Sequence, residues 1–330
     1  MLAVAEHLDT VNLPADRGVI EAILDRAERS FTGELPPAER EFVFVLEDLE
    51  QRRIIGTSMI YAQHGTKRAP HIFFRVENDE RYSMTLDRHF IHPTLRIGYN
   101  YNGPTEIGGL ILLPEYRHTS DSLGKSLSYV RFLYIRMHRE LFRDQVLSEL
   151  LPPLEADGTS RLWETLGRKF TGLTYQEADR LSKDNKEFIH ALFPDDPIHT
   201  SLLPDDVRSM IGEVGPETKA VEAMLRRIGF DYAEQIDPFD GGPHFVARTD
   251  DISLVKQAHT RRVTIGDVSA PAAANARWAI LGVELPGTRP TFRAVGVRVA
   301  TIGADRVELS EDAARRLGVA PGHEVWLTFG

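Results

Sequence analysis

The sequence predicts an α/β (α+β) protein built on a mixed sheet, with a small β-rich unit at its C-terminal end. Three observations carry this. An apolar run at 107–113 is short enough for a buried strand, ends at Pro114, and leads through a polar loop at 117–125 into a helical pattern. Several β-rich runs precede it, separated by short charged or Asn/Gly turns, as antiparallel strands are. Beyond residue 276 the chain alternates short apolar strands with turns and one short helix, the pattern of a small barrel.

Taken in order, 15–31 reads as the first helix, with Ile20, Ile23, Leu24 and Ala27 as its apolar stripe. A proline-rich break follows at 34–40. EFVFVLE (41–47) and IIGTSMIYA (54–62) read as a hairpin, and 71–76 with 82–86 as a further strand pair. YNYNGP (99–104) is a turn by composition. After the central strand, Leu127, Val130, Arg131, Tyr134 and Met137 recur at helical spacing. QVLSELL (145–151) suits a strand or a helix and is stopped by Pro152-Pro153. Thr159-Ser160 reads as the N-cap of a helix at 161–170. A helix at 221–232 ends in Gly and an aromatic, as that one does, which suggests a partly duplicated second half. SAPAAANA (269–276) reads as a linker. The expected domains are therefore 1–150, 151–268 and 277–330, the last doing no chemistry, so that a chain ending near Ala270 keeps its ligand binding.

Composition narrows the class. The 330 residues hold 39 Lys+Arg against 49 Asp+Glu, a net charge of −10, which disfavours nucleic acid and anionic membranes. Cysteine is absent, excluding disulfides, thiolate metal sites and a cysteine nucleophile. No apolar run approaches the roughly 20 residues of a membrane span. The segment MLAVAEHLDTVNL carries acids early and has no basic flank, unlike a secretory signal, so a cytoplasmic protein is expected. His89 and His92 lie three apart without a third ligand at metal spacing, so no metal site is expected.

The strand, loop and helix around 107–137 point free backbone N–H groups and a helix N-terminus at one place, which suits an anion. TSDSLGKS (119–126) departs from the nucleotide-binding loop G-x-x-x-x-G-K-[ST] only in having Thr119 for the first glycine. A looser acyl-CoA pattern also fits, with Arg117 opening the loop and Gly124 and Ser126 in its closing half. An ordinary β–α turn is the third alternative.

Longer segments decide among these by resemblance. EFVFVLED (41–48), IGTSMI (55–60), TEIGGLILLPEYR (105–117) and SRLWETLGRKF (160–170) resemble the arginine N-succinyltransferase family. So do FIHALFPDDPIHTSLL (188–203), MIGEVGPETKAVEAMLRRIGF (210–230) and IDPFDGGPHF (236–245), in the family's order. The resemblance implies a GNAT-like acyltransferase fold, succinyl-CoA as a co-substrate with no permanently bound cofactor, and the α-amine of arginine or ornithine as acceptor. Assembly as a homo-oligomer, or with a related chain, is also implied. The chain departs from the family at Arg81, where a histidine is usual, and at Leu151-Pro152, where Arg-Gly is usual. Ala191 and Gly215 stand where glutamate and histidine are usual.

Residue chemistry assigns the roles. An α-ammonium must lose a proton before attacking a thioester, and a carboxylate can accept it. Glu106, at the mouth of the central strand and matching a family glutamate, is the first candidate; Glu149 is the second. The CoA side is expected to use Leu112, Leu113, Arg117, Ser122, Gly124, Lys125 and Ser126, with backbone N–H groups near Leu112 and Leu113 meeting the oxyanion. Arg81, Asp237 and Asp240 are the expected substrate contacts, the two aspartates lying before a Gly-Gly turn they could equally cap.

Overall fold

A computed structural model describes residues 1–5, 16–67, 69–117, 122–182, 185–268, 276–288 and 290–330. The strands run β1 (Glu41–Asp48), β2 (Arg53–Tyr61), β3 (His71–Ser83), β4 (Arg88–Asn100), β5 (Thr105–Leu112), β6 (Gln145–Glu149) and β7 (Ile198–His199). They continue with β8 (Asp231–Ile236), β9 (Pro243–Arg248), β10 (His259–Ile265), β11 (Arg277–Glu284), β12 (Phe292–Ile302), β13 (Arg306–Leu309) and β14 (Glu324–Phe329). The chain gathers into two compact units, each made of segments far apart in sequence. Unit 1 holds Met1–Ala62, Gly108–Phe142 and Thr249–Gly330; unit 2 holds Gln63–Ile107 and Arg143–Arg248. The unit boundaries therefore interleave along the chain, unlike the consecutive segments expected from composition.

In unit 1, β1 and β2 form the expected antiparallel hairpin, from Glu41 opposite Tyr61 to Asp48 opposite Arg53. The first helix is Arg17–Phe31, and Asp16 caps it by accepting the Val19 N–H at 2.9 Å. The helix Leu123–Met137 is buried along most of its length. Its Tyr134 packs against Phe31, Phe42, Phe44 and Phe292. Its Arg131 is buried and donates to the carbonyls of Ser128 and Gly108, so no charge is left unbonded inside. Burial alone pulls that guanidinium down to about 9.

The C-terminal strands close into a barrel in the order β10-β13-β12-β11-β14. The expected small β-rich unit is thus present, but it does not begin at 277. β10, which precedes the linker-like stretch, pairs in parallel with β13 (Val263 opposite Val307) and antiparallel with β14 (His259 opposite Leu327). Edge N–H and C=O groups need partners, and closure supplies them only if β10 joins. Residues 269–275 of that stretch lie outside the described residues.

In unit 2 the sheet order is β5-β6-β9-β8-β3-β4-β7, with Thr105 and Glu106 of β5 parallel to Val146 and Leu147 of β6. The segment 71–86, expected as two strands, is one long strand. β3 runs to Ser83 and pairs throughout with β4, which the sequence reading missed. The polar run Glu77–Arg81 looks like a turn, but it lies on the outer half of a hairpin where polar side chains meet water. The helical stretch 161–171 starts as expected, with Ser160 Oγ accepting the Trp163 N–H at 3.1 Å, and it contains a π-helical turn at Trp163–Gly167. It leads into the helix Tyr175–Ser182, whereas the helix Lys219–Ile228 leads through Gly229 into β8. Trp163 anchors the core beneath, stacked on Phe239 with ring centroids 4.9 Å apart.

Candidate functional site

Sheet register in unit 2 explains how distant residues meet. Leu147 and Glu149 share one face of β6, since side chains alternate along a strand. Glu106 on β5 lies beside Leu147, and His244 on β9 lies directly opposite Glu149. His71 opens β3, and the loop carrying His64 is pinned by a bond from the His64 N–H to the Pro104 carbonyl at 2.7 Å. The result is a cluster of three imidazoles and two glutamates.

Glu106 is 4% exposed, and its Oε2 lies 2.7 Å from His64 Nδ1. Glu149 Oε1 is approached by three Nε2 atoms: His71 at 3.2 Å, His244 at 3.5 Å and His64 at 4.0 Å. His71 and His244 are 3% and 0% exposed, and their rings stack with centroids 5.2 Å apart. Burial dominates their titration: it pushes His71 down, and His244 down to about 4. Burial also opposes charge on His64, but Glu106 and Glu149 outweigh it and raise that imidazole. Burial likewise raises the Glu149 carboxyl, and the imidazoles, His244 foremost, more than reverse this and hold it well below the usual range.

Asp237 and Asp240 shape the turn before β9. Asp237 Oδ1 accepts the N–H groups of Phe239 at 2.6 Å and Asp240 at 3.2 Å; Asp240 Oδ1 accepts the Gly242 N–H at 2.7 Å. These are the Asx bonds of the capping role. Gly241 has φ +83, which the turn requires and L side chains rarely adopt. Burial and the Glu149 charge raise Asp237 to about 6, and burial with the Asp237 charge raises Asp240 well above the ordinary carboxylate range. A raised carboxyl binds its proton more tightly in the folded state. The associated stability is full below the unfolded carboxylate range and is lost as pH rises through the folded value. Asp240→Asn keeps an acceptor for Gly242 and needs no proton. Its melting temperature should match that of the wild type near pH 4 and exceed it at pH 8, the gap growing by at most about 1.4 kcal/mol per pH unit. Equal melting temperatures at both pH values would contradict this.

Not every expected contact joins the cluster. The Arg81 guanidinium is 70% exposed and binds Asp79 at 2.9 Å on the outer part of the β3–β4 hairpin. That is a surface ion pair, and it is not gathered with Asp237 in the cluster. His89 sits on the same hairpin, 3.4 Å from Glu80. The histidines that do gather, His64, His71 and His244, have no sequence spacing that could reveal them. Two departures from the family pattern prove to be one packed feature. The Gly215 N–H donates to the Leu151 carbonyl at 2.8 Å, and a Cβ at 215 would meet the Pro152 carbonyl at 2.6 Å. With Pro152 placed there, position 215 has no room for a side chain.

The expected CoA residues lie in unit 1, where residues 118–121 of the loop are outside the described residues. Ser122 precedes the helix Leu123–Met137 with φ 54. Ser126 is buried and turns its Oγ back to the Ser122 carbonyl at 3.2 Å. Lys125 Nζ sits 4.3 Å from the centre of the Trp278 ring, a cation–π contact. Arg117 Nε donates to the Leu112 carbonyl at 2.9 Å. One expectation is corrected: the Leu113 N–H donates to the Ile55 carbonyl at 2.9 Å and Leu113 is fully buried, so it is not a free oxyanion donor.

A profile of the family described as "Arginine N-succinyltransferase beta subunit" matches residues 1–254. The chain belongs to the arginine N-succinyltransferase family. The arginine N-succinyltransferase of Yersinia pestis (strain Pestoides F) is 33% identical over 318 residues, covering 95% of this chain and 89% of that one. The arginine N-succinyltransferase of Escherichia coli O17:K52:H18 is 32% identical over 310 residues, covering 90% and 89%. Arginine/ornithine succinyltransferase subunit AI from Pseudomonas aeruginosa superposes with a TM-score of 0.83 at 28% identity, over 99% of this chain and 94% of that one. The expected arginine N-succinyltransferase architecture of mixed sheet and small barrel is therefore this chain's fold. No helix among the described residues is long and apolar enough to cross a membrane.

Proposed function

We propose that this chain is a cytoplasmic N-acyltransferase that moves a succinyl group from succinyl-CoA to the α-amine of L-arginine or L-ornithine. The observation that carries the reading is family membership across nearly the whole length of the relatives. The buried Glu106 and the half-buried Glu149, whose carboxyl is held well below its usual range, support it, because a cationic amino acid substrate needs negative partners. Glu106 takes the amine proton, with His64 Nδ1 at 2.7 Å linking that carboxylate to the less buried side of the cluster. The amine then attacks the thioester carbonyl, and as the C–S bond breaks the second proton lost by the nitrogen passes to the sulfur, so that CoA leaves as the thiol.

The test is simple because the chain has no cysteine, so a thiol reagent reports only released CoA. Thiol release from succinyl-CoA that depends on arginine or ornithine supports the proposal, and acetyl-CoA tests the acyl group. Binding of succinyl-CoA without turnover with either amine would favour a second reading, a subunit that acts only with a related chain. The packed Leu151-Pro152-Gly215 feature, where the family usually has Arg-Gly and histidine, favours that reading.

The loop from Arg117 to Ser126 is proposed to bind the CoA phosphates. Gly124 is the second residue of its helix, and a Cβ there would find its nearest neighbour, Leu112 Cδ2, at 3.8 Å. Gly124→Asp therefore fits, and a carboxylate near a helix N-terminus favours the fold. The same charge repels phosphate, so the Kd for succinyl-CoA should rise about tenfold or more, or 1.4 kcal/mol. An unchanged Kd by calorimetry, in a variant that melts like the wild type, would place the phosphates elsewhere.

A further inference from the structure

We propose that His64, His71 and Glu149 bind a divalent transition-metal ion of the zinc class, with Glu106 orienting His64 behind it. The three donor atoms lie within 4.8 Å of one another. Ligands held about 2.0–2.2 Å from one zinc ion stand roughly 3–4 Å apart. The distances to Glu149 Oε1 are 3.2 Å from His71 Nε2 and 4.0 Å from His64 Nε2. Two imidazoles and one carboxylate form a zinc donor set that leaves a fourth position open.

Hydrogen-bond accounting points the same way. Buried polar atoms are normally partnered. Both ring nitrogens of His71 are buried without a well-aligned hydrogen bond among the described residues, Nε2 standing 3.2 Å from Glu149 Oε1. Glu106 fixes the Nδ1–H of His64, so that when the ring is neutral its Nε2 lone pair faces the Glu149 carboxylate. Two acceptors facing each other need a positive charge between them. A proton would serve one nitrogen; an ion serves both imidazoles and the carboxylate together. The carboxylate behind a ligating imidazole is the arrangement that fixes tautomer and ring orientation at zinc sites. His244 Nε2 and Asp237 lie on the same glutamate and add negative and lone-pair character around it.

This inference stands whether or not the chain transfers succinyl groups, because it is read by metal binding without acyl-CoA. An ion at His64 Nε2 would withdraw that atom from proton transfer, so the transferase assays belong in chelator-containing buffer. Full-length protein without an affinity tag, treated with chelator and dialysed, is titrated with ZnCl₂ by calorimetry. The expected result is one ion per chain, a higher melting temperature with zinc, and visible absorption when Co²⁺ replaces it. His71→Ala and Glu149→Gln should each weaken zinc binding by at least about 10–100-fold, while His89→Ala, on the exposed hairpin, leaves it unchanged. Circular dichroism of the metal-free variants confirms that they are folded. Substoichiometric binding by the wild type, or unchanged affinity in either folded variant, overturns the proposal.

Discussion

Glu106→Gln is expected to lower kcat for succinyl transfer by about 10²–10⁴-fold, the usual contribution of a general base. The amide keeps the size of the side chain, and its oxygen can still accept from His64 Nδ1, the 2.7 Å contact that holds the pair together. What disappears is the capacity to take a proton. The KM for succinyl-CoA should hold, since CoA binding is proposed for a loop in the other unit. The deficit should shrink as pH rises toward the pKa of the substrate amine, because free amine then forms without assistance. Running the comparison with chelator present separates this effect from the hold of Glu106 on a metal-ligating His64. A variant within about threefold of wild type at neutral pH, far short of the general-base range, would remove Glu106 from the mechanism.

A chain ending near Ala270 is expected not to fold, the reverse of the outcome that a self-contained tail would give. Truncation strips β10 of both its partners, β13 and β14. It also uncovers the helix Leu123–Met137. Tyr129 loses Trp278 at 6.1 Å, Tyr134 loses Phe292 at 5.2 Å, and Leu133 loses the strand at Gly282. These three side chains are 2% exposed or less. Re-exposing each costs about 1.5–3 kcal/mol, and together they approach the roughly 5–15 kcal/mol that stabilises a whole domain. The truncated protein should be insoluble or show no cooperative melting transition. A soluble product that melts cooperatively and binds succinyl-CoA would restore the view of the tail as an independent appendage.

What the sequence determined by itself was local order and membership of a family. Pro114 ends the central strand, Ser160 caps its helix, and Asp237-Pro-Phe-Asp-Gly-Gly makes its turn, because each rests on bonds between residues close in the chain. Long segments in a fixed order carried the arginine N-succinyltransferase resemblance, and with it the mixed sheet and the barrel. Tertiary structure alone decided the rest. β4 is invisible where polar residues outnumber apolar ones, since its partner β3 supplies the pairing that its composition does not advertise. β10 belongs to the barrel because two unpaired strand edges, distant in sequence, satisfy each other across it. The site shows this most clearly. Glu106 and Glu149 were legible as carboxylates near strand ends. Only the parallel register of β5 with β6, and the antiparallel register of β6 with β9, brings their face of the sheet together with His64, His71 and His244. Backbone hydrogen bonds are available at many registers, and which one is adopted depends on the packing of the whole sheet face and on turn geometry, so no local mark shows which distant residues will be aligned.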